Sequence, residues 1–89
     1  MLNSIREIRV RNKKGLYNLT LEVPEKEFFL AYDDASNESA YDLIKQYLVY
    51  RQDDARPENI EIEYDRNKHI VSLSSELHYL ENDHTDYSN

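Results

Sequence analysis

Cysteine and tryptophan are absent from this chain, glycine occurs once and proline twice. Without cysteine there is no disulfide framework, no thiolate zinc site and no cysteine nucleophile, and the composition suits a reducing cytoplasm. A single glycine excludes a glycine-rich loop that brings backbone amides up to a phosphate. No window approaches the roughly 18 uninterrupted apolar residues of a membrane helix, so no membrane association is expected. The opening "MLNSIREIRV" carries charge by its sixth and seventh residues, so no export signal is expected and a cytoplasmic protein is.

What is present is charge, and it is unevenly placed. Residues 1–24 hold five Lys and Arg against two Glu, net +3, while the rest hold six Lys and Arg against sixteen Asp and Glu, net −10. The whole chain of 89 residues stands at −7. Such a field repels nucleic-acid phosphates from most of the surface and speeds encounter with a basic protein. Only 39% of residues are apolar, so the expected core is thin: one face of a sheet covered by a helix.

Local periodicity supplies the elements. Ile8 and Val10 alternate with Arg9 and Arg11, the pattern of a half-buried strand with its apolar residues inward. Asn12 to Gly15 carry turn chemistry, with Gly15 the natural site for a positive φ. Tyr17, Leu19, Leu21 and Val23 recur at period two and complete a hairpin. Pro24 breaks it, and "EFFLAY", residues 27–32, reads as a short third strand. Ala40, Leu43, Ile44, Tyr47 and Leu48 recur at helical spacing and predict an amphipathic helix over about 37–52, capped by Ser36 or Asn37, with Asp34 as the alternative. Ile60, Ile62 and Tyr64 then alternate with Glu61 and Glu63, "DRNK" turns, and Val71 and Leu73 return inward. A short helical turn is expected around Leu77 and Leu80.

The expected fold is therefore α+β: an antiparallel sheet of four to five strands with one amphipathic helix on one face, in the order β-β-β-α-β-β. Residues 1–81 form the domain and 82–89 a mobile polar tail. The pattern also suggests that Arg9 and Arg11 pair across adjacent strands with Glu61 and Glu63, which would make the basic hairpin a structural element.

Candidate chemistry is sparse. His69, His78 and His84 accompany no serine in a nucleophile context, and His69 reads as a strand-border residue. His78, Glu81, Asp83, His84 and Asp86 carry donor atoms, but histidines six residues apart lack the spacing by which a helix converges two ligands. Asp33 with Asp34, and Asp53 with Asp54, read as loop and cap residues. No catalytic group, cofactor or metal is expected, and the chain reads as a non-enzyme.

Eight tyrosines invite an interface reading, because tyrosine combines rigid apolar area with a polar tip. Tyr47 is expected in the core, Tyr41 beside Lys45 on an outer flank, and Tyr50 on a helix shoulder. The preferred function is a small acidic inhibitor or regulator that binds a basic protein partner, occupying a surface that otherwise holds nucleic acid. Its contact residues are expected to be Glu38, Tyr41, Asp42, Tyr50, Asp53, Asp54, Glu61 and Glu63. A second reading is a self-associating accessory protein, a homodimer joined through a sheet face or the edge of the first hairpin. Direct nucleic-acid binding by Arg9, Arg11, Lys13 and Lys14 is the third, disfavoured by the sixteen acids elsewhere and by the lack of an aromatic platform.

Overall fold

The computed structural model describes residues 1–12 and 15–79. Four strands and two helices follow in the order β1 (Arg6–Arg11), β2 (Tyr17–Pro24), α1 (Glu25–Ala31), α2 (Asn37–Tyr50), β3 (Arg56–Asp65) and β4 (Ile70–His78). The strands form one antiparallel sheet in the order β1-β2-β4-β3. This is the expected α+β architecture, with the main helix on one sheet face.

The first hairpin turns as its residues require. Asn12 N–H donates to the Leu16 carbonyl at 2.7 Å, Gly15 N–H donates to the Asn12 carbonyl at 3.1 Å, and Gly15 has φ +81°. A side chain at that φ would be strained, so the one glycine stands where the chain needs it.

The core lies between α2 and the sheet. Ala40, Leu43, Ile44, Tyr47 and Leu48 form the buried stripe of α2, facing Leu19, Leu21 and Val23 of β2 and Val71, Leu73 and Leu77 of β4. Ser36 caps α2, its hydroxyl accepting the Ser39 N–H at 3.1 Å. Helix α2 ends at Tyr50, with Gln52 in the left-handed region.

Three expectations are corrected. "EFFLAY" is not a strand: residues Glu25–Ala31 form α1, and the strand order loses its third member. A period of two would place Leu30 beside Phe28, yet Phe28 is fully buried and Leu30 is 84% exposed. The helical period instead puts Phe28 and Tyr32, four residues apart and with ring centroids at 5.1 Å, on the inner side, while Lys26 and Leu30 face solvent. Pro24 stands at the N-cap, where its missing N–H costs no helical hydrogen bond, and Glu25 and Glu27 suit the first turn. The turn expected around Leu77 is also absent, because β4 runs on to His78; Leu80 lies outside the described residues. So does the expected tail.

The third correction concerns the faces of β1. The register sets Glu7 opposite Leu21 and Arg9 opposite Leu19, so Glu7, Arg9 and Arg11 point to the helix side. Ile8 and Val10 point to the other side, opposite Thr20 and Asn18. Moreover, β1 and β3 are the two outer strands, with β2 and β4 between them. Arg9 and Arg11 therefore do not meet Glu61 and Glu63.

Candidate partner-binding surfaces

Arg9 holds an inward polar cluster at the rim of the core. Its Nη1 donates to Asp53 Oδ2 at 3.0 Å and to the Tyr79 hydroxyl at 2.9 Å, and its Nε lies 3.0 Å from Glu7 Oε2. Tyr47 OH donates to Glu7 Oε1 at 2.7 Å, Tyr79 OH donates to Asp53 Oδ2 at 3.1 Å, and Asp53 Oδ1 accepts the Ala55 N–H at 2.9 Å. Burial opposes the Arg9 charge, but the Asp53 hydrogen bond and the fields of Tyr79, Glu7 and Asp53 outweigh it and raise its pKa. Burial and the hydrogen bond to Glu7 push the Tyr47 phenol up to about 12. The cluster ties the outer strand β1 to the end of α2 and the end of β4. Asp53, expected as a contact residue, is thereby occupied inside the molecule.

A second polar cluster fastens α1. Tyr64 OH donates to Glu25 Oε1, His69 Nδ1 lies 3.1 Å from Glu25 Oε2, and Glu25 N–H donates to the His69 carbonyl at 2.8 Å. The hydrogen bonds from Tyr64 and His69 hold the Glu25 carboxyl below its ordinary range. His69 adopts φ 57° in the β3–β4 turn, at the strand border as its sequence position indicated.

The remaining expected contact residues divide between the two sides of the sheet. On the helix side, Tyr41 and Tyr50 of α2 are 44% and 50% exposed, and Lys45 Nζ lies 5.3 Å from the centre of the Tyr41 ring. Together with Val49 and Leu2 they line an open groove beside Asp42. Asp42 accepts the Tyr32 hydroxyl at 2.6 Å and Gln46 Nε2 at 2.8 Å, while Glu38 and Asp54 are exposed.

The other side of the sheet is covered by neither helix. Across it run Asn18, Thr20 and Glu22 of β2, Ser72, Ser74 and Glu76 of β4, and Glu58, Glu61 and Glu63 of β3. Glu61 opposes Ser74 and Glu63 opposes Ser72, with the two glutamates' Cα atoms about 7 Å apart along the strand. Both are exposed, and neither forms an ion pair among the described residues. A bulge between Glu58 and Glu61 leaves the Glu58 carbonyl to the hydroxyl of buried Ser75 at 2.9 Å. Glu58 stands opposite Glu76, and His78 Nε2 lies 3.6 and 3.5 Å from their carboxylates. Glu58 and Glu76 were missing from the sequence-based set. Only the pairing of β3 with β4 aligns them with Glu61 and Glu63.

Negative charge thus rises across the open face from β1 to β3. Near β1 the single carboxylate Glu22 is balanced by Arg6, 3.6 Å away. Among the described residues no group of His, Asp or Glu is arranged to hold a metal ion, and no helix is long and apolar enough to cross a membrane. No known protein family, curated protein or solved structure matches this chain.

Proposed function

We propose that the protein is a non-enzymatic binding protein whose helix-free sheet face engages a basic partner protein. The carboxylates of β3 and β4 would occupy a surface that in the partner otherwise holds nucleic acid, so that the complex inhibits or regulates that partner. The supporting observation is the pair Glu61 and Glu63, exposed and free of ion pairs among the described residues on a face that no helix covers. Unpaired exposed carboxylates remain fully available to a cationic surface, and their field speeds association more than it strengthens the final complex. Thr20, Ser72 and Ser74 add hydroxyls beside them, suited to a wet, polar contact.

The reading is tested by pull-down against a panel of cationic nucleases and nucleic-acid-binding domains. Capture is expected at low salt and loss at about 1 M salt, where the screening length is about 3 Å. Glu61→Lys with Glu63→Lys should abolish capture, while Tyr41→Ala with Tyr50→Ala should leave it. No capture by the native chain at low salt overturns the reading, and loss caused only by the tyrosine pair moves the contact to the α2 side.

A further inference from the structure

The two outer strands differ in what they offer to another chain. Strand β3 is blocked against strand addition: Pro57 lies within it, a bulge separates Glu58 from Glu61, and Asn59 takes φ 55°. Strand β1 has six residues in unbroken register, with no proline and no bulge. Asn12 N–H points across the hairpin to Leu16, and the alternation of an antiparallel ladder turns the Glu7, Arg9 and Arg11 amides to the open edge.

We propose that β1 pairs antiparallel with β1 of a second copy, about a two-fold axis at Ile8, to give a continuous eight-stranded sheet. The register follows from charge and face. For the two sheets to continue with their helices on one side, helix-side residues must oppose helix-side residues, so the row of Glu7, Arg9 and Arg11 faces the same row of the second copy in odd-numbered positions only. Centring on Glu7 or on Arg9 sets like charges directly opposite each other on the axis, which destabilises a strand pair. Centring on Ile8 sets Glu7 opposite the partner's Arg9 and Arg9 opposite the partner's Glu7. Ile8 then meets the partner's Ile8, and Val10, 57% exposed in the single chain, meets the partner's Arg6.

The outward amides fit the same register. Glu7 and Arg9 exchange backbone hydrogen bonds with their opposites, while Ile8 forms the close, non-hydrogen-bonded pair. Helix α2 packs most extensively over β3, at the far side of the sheet, which leaves the β1 edge open to a second copy. The proposal is independent of the partner-binding reading. Pairing through β1 leaves Glu61 and Glu63 at both outer ends of the joined sheet.

Because the chain has no cysteine, a single engineered thiol reports the register directly. Opposed residues in a non-hydrogen-bonded pair have Cα atoms about 4.5 Å apart, within the range a disulfide spans. Under mild oxidation Ile8→Cys should form a covalent dimer well ahead of Asn67→Cys in the β3–β4 turn. In sedimentation over a concentration series the native chain should dimerise. Val10→Glu, which faces the partner's Arg6, should tighten the dimer, and Val10→Arg should weaken it. Circular dichroism of both Val10 variants verifies the fold. A native chain that stays monomeric, cross-linking of Ile8→Cys no faster than Asn67→Cys, or equal effects of Val10→Glu and Val10→Arg overturns the proposal.

Discussion

Arg9 joins the outer strand β1 to Asp53 and Tyr79 at the rim of the core. In β1 the alternation marks two faces, and the apolar one is ordinarily buried. Here the face toward the helices lies at the rim of the core, where Asp53, Tyr47 and Tyr79 are within hydrogen-bonding reach of Arg9 and Glu7. A half-buried charge is tolerable when it is paired and hydrogen-bonded, and these two are. Arg9→Met should therefore destabilise the fold by about 1–3 kcal/mol in urea denaturation, because it leaves the Asp53 and Glu7 carboxylates without their cationic partner. By contrast, Glu61→Gln and Glu63→Gln should each stay within about 0.5 kcal/mol of the native chain. The opposite outcome would mean that β3 carries a charge pair essential to the fold.

Tyr47 gives the cluster a pH signature. Its phenol is pushed up to about 12 from the ordinary 10.0, so the folded state favours the protonated form. The resulting stabilisation is fully present below pH 10 and is lost as pH rises through about 12. Denaturation midpoints should fall across that window, and Tyr47→Phe should flatten the fall. An unchanged slope in the variant would remove Tyr47 from the cause.

At the scale of elements, α2 and β2 are legible in the sequence because each has an uninterrupted pattern of its own period. Ala40, Leu43, Ile44, Tyr47 and Leu48 mark one helical stripe, and Leu19, Leu21 and Val23 one strand face. The Ser36 cap is equally local, and Ser36→Ala should cost about 1 kcal/mol in chemical denaturation. Helix α1 was not legible. Seven residues span only two turns, and "EFFLAY" places aromatic and aliphatic residues at every position but its first, so neither period stands out. Its conformation is fixed by Phe28, which enters the core while Leu30 does not. Phe28→Ala should accordingly destabilise by about 3–5 kcal/mol, and Leu30→Ala by well under 1 kcal/mol. A strand would make the two substitutions comparable.

For the molecule as a whole, strand order decides where the charges face. Because β2 and β4 lie side by side at the centre, the basic strand and the acidic strand become opposite edges. The eight residues expected to form one contact set are divided by the sheet. Glu38, Tyr41, Asp42, Tyr50 and Asp54 lie on or beside α2, Glu61 and Glu63 face away from it, and Asp53 is held by Arg9 and Tyr79. Nothing local in the sequence signals that division. It arises from the pairing of β2 with β4, whose residues lie about fifty positions apart.

Features with local causes are legible in the chain alone: the Gly15 turn, the inward row of β2, the stripe and cap of α2, and the strong excess of acid beyond residue 24. Only the fold sets which face of β1 is inward, whether residues 25–31 wind or extend, and which carboxylates stand outside ion pairs among the described residues. The reason is physical. Periodicity reports how side chains are distributed around an element's own axis. Which side is buried depends on partners brought from distant parts of the chain, such as Asp53 and Tyr79 for Arg9.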